Sequence, residues 1–165
     1  MTTTAKKDKK DLLLNQMPAL LKTLSPETAG NFGLMTPQRM VEHIVSVLKN
    51  TTVKYEGERE SPANEKQLGF QKFIRSGCVL KYRPSDKTKA DLPPLKYASL
   101  EAALAEVPAA IQGFYDFWAA NEDYIPYASF MGEMPFEDIE HFHYMHFRYH
   151  LWQFGLIEEY PGEQV

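Results

Sequence analysis

Cysteine is nearly absent: Cys78 is the only one among 165 residues. That excludes an intramolecular disulfide and a Cys-pair metal site, and it suits a reducing compartment. Clustered basic charge is also missing. Lys and Arg total 18 against 22 Asp and Glu, for a net charge of −4. The one dense run, "AKKDKK", reads as a solvated tail and not as a phosphate-binding surface, so no nucleic-acid partner is expected. No apolar run approaches the roughly 20 residues that span a bilayer. In "LLLNQMPALL" the apolar residues are interrupted by Asn15, Gln16 and Pro18, and no small-residue cleavage site follows. The expectation is therefore a soluble cytoplasmic protein with no membrane partner. A P-loop, a Gly-rich dinucleotide fingerprint and a GxSxG elbow are all lacking, which removes those three chemistries.

Hydrophobic residues make up 44% of the chain and charged residues 24%, the balance of a globular protein. The length suits one domain. Residues 1–9 form a polar N-terminal tail and 10–165 a single domain. A first helix is expected from about Asp8 to Leu24, with Pro18 splitting or kinking it. In "MTPQRMVEHIVSVLKN", Thr36 caps a second helix and Pro37 takes its first position. Met40, His43, Ile44 and Val47 then recur at helical spacing, so His43 falls where an apolar residue belongs. "SLEAALAEVPAAIQGFYDFWAANED" is a third helix, capped by Ser99, bent at Pro108 and buried through Leu104, Ile111, Phe114, Tyr115 and Trp118. A turn-rich loop, "YIPYASFMGEM", leads to a fourth helix from near Pro135 to Gly155. Residues 51–98 read as a long crossover between helices 2 and 3, with short extended pieces such as Gly77 to Tyr82. The fold class is all-α, a four-helix bundle.

Four of the five histidines lie in "HFHYMHFRYHLWQFGL". At about 100° per residue, His146 lies about 60° from His143 and His150 about 20° from it, on a side shared with Phe147 and Phe154. His141 points the opposite way and is expected at the surface. His146 and His150 form HxxxH, one turn apart, so that two imidazoles can meet one ion. The third ligand must come from elsewhere, and His43 is the only remaining histidine. The candidate metal ligands are thus His43, His146 and His150, with a position open for water or substrate. The bland alternatives are a hydrogen-bonded core imidazole for His43 and a packing or supporting role for His143. The HExxH glutamate of zinc peptidases is missing, because Phe-Arg-Tyr separates His146 from His150. Glu140 and His143 make one ExxH pair, but a carboxylate-bridged di-iron centre needs a second, which is lacking. Imidazole donors suit Zn and Ni equally. Cys78 has no flanking histidine to activate it as a nucleophile. Tyr144, Tyr149 and Trp152 form an apolar outer face, read either as a subunit contact or as a surface packed beneath the 51–98 crossover.

"TPQRMVEH" and "HYMHFRYHLWQFGL" resemble the DinB-like superfamily, more closely its DUF1569-type branch. The resemblance covers about a third of the chain by motif. It implies a four-helix bundle with a divalent metal on three histidines, which match His43, His146 and His150 residue by residue. It also implies a homodimer. Characterised members are thiol-dependent S-transferases or isomerases that use low-molecular-weight thiols such as bacillithiol or mycothiol, so a thiol and a small electrophile are the expected partners. Tyr149, Trp152 and the "ASFMG" loop depart from the branch's pattern, and none of these departures touches the three ligands. The alternative function is a non-catalytic bundle that binds a metal or small ligand, as a stress or binding module.

Overall fold

The computed structural model describes residues 8–162. It is mostly helical, with one two-stranded hairpin. Helix α1 covers residues 8–21, α2 Pro37–Asn50, α3 Glu65–Arg75, α4 Leu100–Ala119 and α5 Phe136–Gln153. Strands β1 (Tyr127–Ala128) and β2 (Gly132–Glu133) pair antiparallel between α4 and α5. No helix among the described residues is long and apolar enough to cross a membrane. Of the predicted tail, residues 1–7 lie outside the described residues, and residues 8 and 9 already belong to α1.

Pro18 neither splits nor ends α1. The turn before it, Leu12–Gln16, widens to π geometry, and Met17 donates its N–H to Leu12 O five residues back. Such a bulge takes up the missing proline N–H without breaking the rod. Leu13, Met17, Pro18 and Leu21 are buried. Helix α2 starts as its sequence indicates, with Thr36 Oγ1 accepting from Arg39 N at 3.3 Å and Pro37 in the first turn. Its inward face is Met40, Val41, Ile44, Val45 and Leu48, all buried. Helix α4, capped by Ser99 Oγ on Ala102 N at 3.1 Å, runs through Pro108. Its buried stripe passes through Ala103 and Val107 and leaves Leu104 partly exposed, a shift of one position from expectation.

The 51–98 segment departs most from its sequence reading. It contains a full helix, α3, opened by a reciprocal cap: Asn64 Oδ1 accepts from Gln67 N at 2.9 Å, and Gln67 Oε1 from Asn64 N at 3.0 Å. Its buried positions are Gln67, Gln71 and Ile74, at i, i+4 and i+7. Two glutamines therefore fill places where apolar residues would reveal a helix. Gln67 Nε2 donates to Ser129 O at 3.0 Å and Gln71 Nε2 to Met131 O at 2.8 Å, tying α3 to the hairpin. Residues 77–82 form no strand.

Helix α5 ends in a Schellman motif: Gly155 adopts φ +69°, Leu156 N donates to Leu151 O at 2.8 Å, and Gly155 N to Trp152 O at 3.0 Å. The chain then turns back to bring Tyr160 over Trp152, ring centroids 5.1 Å apart. Phe32 also packs on Trp152 at 5.3 Å and meets Tyr82 of the crossover at 5.0 Å. Trp152 is 6% exposed and so covered within the chain, while Tyr144 and Tyr149 of the same face are half-buried.

Candidate metal centre

Three imidazoles converge between α2 and α5. His43 Nε2 lies 3.1 Å from His146 Nε2, which lies 3.0 Å from His150 Nε2. The rings meet edge to face, with centroids 4.7–5.1 Å apart. Each offers one nitrogen to a group that could hold a metal ion, and all three nitrogens lie within 4.8 Å of one another. Ligand nitrogens about 2.1 Å from an ion sit about 3.0 Å apart at right angles and about 3.4 Å apart in a tetrahedron. The two closest separations fall at the lower end of that range, as donors to one shared cation would.

The sequence builds this convergence simply. His146 and His150 are one turn apart on α5, and both are buried. His43 sits at the edge of α2's apolar face, next to Ile44, and is half-buried. One end of its ring reaches the cluster while the residue lines a cavity of about 160 Å³ bounded by α2 and residues 92–96.

His150 is held in a single tautomer. Its Nδ1 lies 2.7 Å from Gln153 Oε1, and Gln153 Nε2 donates to Phe32 O at 2.9 Å. The carbonyl at Phe32 can only accept, so the amide orientation is fixed and Nδ1 of His150 carries the hydrogen. Its Nε2 therefore presents a bare lone pair to the cluster, the state a metal ligand requires. His146 is less prepared, because its Nδ1 is buried without a hydrogen-bond partner. With all rings neutral, His146 Nε2 can donate to only one of its two neighbours. The arrangement is then electrostatically incomplete without a cation.

Charge states agree with this geometry. Burial pushes His43 below its ordinary value and His150 down to about 3. Burial, then the neighbouring His150, His43 and His143, push His146 well down. Neutral imidazoles are the metal-binding form.

The remaining histidines lie outside the cluster. His143 is fully buried, and its Nε2 lies 2.7 Å from Thr51 Oγ1. Thr51 gives its one hydroxyl hydrogen to Leu48 O at 2.9 Å, so it accepts from His143. His143 thus fastens α5 to the end of α2 and supports the core. His141, expected at the surface, is instead half-buried, with Nε2 3.2 Å from Gly77 O. The turn after α3 folds over it. Glu140 points to Tyr115, whose hydroxyl donates to Oε1 at 2.8 Å, and is not in the histidine group. Cys78 is 1% exposed, and burial pushes its thiol up to about 12, which removes it as a nucleophile at neutral pH.

Two residues that shape this region escaped the sequence reading. Gln153 was legible in principle, since it lies three residues after His150 and so on the same helix face. Glu42 had no such signal. It accepts from Lys96 N at 2.7 Å, Tyr97 N at 3.1 Å and Gln38 Nε2 at 3.1 Å, pinning residues 96–97 to α2 beside His43. Compared with known protein families, curated proteins and solved structures, the chain has no match.

Proposed function

We propose that this chain is a divalent-metal-dependent enzyme whose α1, α2, α4 and α5 form a DinB-like four-helix bundle, and that it acts as a thiol-dependent S-transferase. The observation that carries the reading is that His146 Nε2 lies 3.1 Å from His43 Nε2 on the other helix and 3.0 Å from His150 Nε2 on its own. Three neutral protein donors and no carboxylate are a common donor set of catalytic metal sites, which keep one position for water or substrate. Zn or Ni bound there would favour the thiolate form of a low-molecular-weight thiol and hold it for attack on a small electrophile. The chain supplies the rest. Gln153 keeps His150 in its ligating tautomer, and burial keeps the imidazoles deprotonated. The cavity beside His43 gives an approach flanked by Arg39, Ser46 and Lys96. Arg39 and Lys96 outnumber Glu42 among the lining charges, which suits a thiol that carries carboxylates. The homodimer rests on the family resemblance, since Trp152 of the aromatic face of α5 is covered within the chain while Tyr144 and Tyr149 are only half-buried.

One observation favours a second reading, a non-catalytic metal- or small-ligand-binding bundle. His146 and His150 are only 7% and 5% exposed, and the cavity at His43 is about 160 Å³, small for two reactants at once. Elemental analysis of the purified protein, followed by Ni titration with and without a thiol, separates the readings. The enzyme reading expects one ion per chain and a thiolate-to-Ni absorption band on adding thiol. One ion per chain without that band gives the binding bundle. No ion, with melting unchanged by Zn or Ni, refutes both.

A further inference from the structure

A second cavity, of about 760 Å³, lies between α4, the hairpin and the first turns of α5. It shares no lining residue with the cavity at His43. Its volume is in the range of small-molecule sites. Tyr115 and Trp118 of α4, Tyr124 and Phe136 supply aromatic walls. Glu140 lines it too, although the residue is 97% removed from solvent, being 3% exposed. Its Oε1 accepts from Tyr115 at 2.8 Å, which holds the carboxylate at the cavity wall. Burial, then the charge of Glu140, pushes the Tyr115 phenol up, so it stays a donor.

The lining charges are unequal. Among the described lining residues, Glu122, Glu133 and Glu140 stand against one ammonium, Lys10. Arg59 neutralises Glu133 from outside the lining at 2.8 Å. Lys10 also shows what the cavity accepts: its Nζ stands 4.9 Å from the centre of the Tyr115 ring. An anion entering here would meet carboxylates. A neutral apolar guest would cover Glu140 and leave its charge uncompensated, which is costly. A cation gains the aromatic faces and the carboxylate together.

We propose that this cavity is a binding site for a small organic ammonium ion, with Glu140 as its counter-ion, the Tyr115 and Phe136 rings as its walls, and Lys10 as an intramolecular stand-in. The site is independent of the histidine cluster and does not rest on its metal.

Choline and its neutral isostere 3,3-dimethyl-1-butanol test this by NMR titration of the full chain, following Trp118 and Phe136. Choline should shift both residues saturably, and the isostere should bind at least about tenfold more weakly. Lys10→Ala, an exposed change, should tighten choline binding severalfold by freeing the Tyr115 face. Glu140→Gln, which keeps an acceptor for Tyr115, should weaken it about tenfold. If Glu140→Gln does not fold, the isostere and Lys10→Ala decide. Equal binding of the isostere, no saturable shift by about 50 mM choline, or a Lys10→Ala chain that binds choline no better would each overturn the assignment.

Discussion

Replacing Gln153 with Met separates two roles that the same side chain performs. Gln153 is 4% exposed and makes two buried hydrogen bonds, one to His150 Nδ1 at 2.7 Å and one to Phe32 O at 2.9 Å. Met is close in volume, so little cavity is created. Two polar groups lose their partners, each at a cost of about 1–3 kcal/mol. Taking about 1.5 kcal/mol apiece gives about 3 kcal/mol, or about 6–12 °C in Tm for a domain of this size. The effect on metal binding is separate. Without an acceptor at Nδ1, His150 is free to place its hydrogen on Nε2 and withdraw a lone pair from the cluster. Loss of such a supporting bond lowers metal affinity by about 10–100-fold. A metal-free thermal melt reads the first quantity, and competition for Zn against a chromophoric chelator reads the second. A lowered melt with Zn affinity unchanged within about twofold would refute the claim that Gln153 prepares His150 as a ligand.

Acid should unfold the metal-free chain through its buried imidazoles. His143 is pushed by burial from 6.5 to about 3. As pH falls, the unfolded chain takes up that proton first, so stability is complete above about 6.5 and declines toward about 3, by about 1.4 kcal/mol per pH unit per histidine. Denaturant titrations at several pH values check this, and a flat profile between pH 6.5 and 4 would contradict the burial of His143. Cys78 should resist thiol reagents at pH 8 until the chain unfolds, because its thiol is buried and held at about 12. Rapid labelling of the folded protein would show that the turn after α3 opens.

The legible parts of the fold are those where local chemistry and tertiary need agree. Thr36 and Pro37 mark the start of α2 because cap and first turn are decided by the residues themselves. The HxxxH spacing places His146 and His150 together because one turn of helix does. Helix α3 was illegible for a physical reason: its buried stripe is satisfied by hydrogen bonds from Gln67 and Gln71 to hairpin carbonyls, and apolar periodicity cannot register polar burial. Pro18 signalled a local change in the first helix, and the chain meets it with one widened turn between two α-helical segments. The partner of His141 was invisible because Gly77 lies 64 residues away in sequence and is brought to it by the placing of α3.

The grip of Glu42 on the amides of residues 96–97 ties one wall of the smaller cavity to α2. Burial alone would raise this carboxyl, but the Lys96 and Tyr97 amides, then Gln38 and the Lys96 charge, outweigh it and hold it below the ordinary range. All three donors bind the ionised form. A proton on Glu42 would therefore loosen residues 96–97 from α2 just where they border His43, and crystals grown from strongly acidic solution should record that doorway ajar.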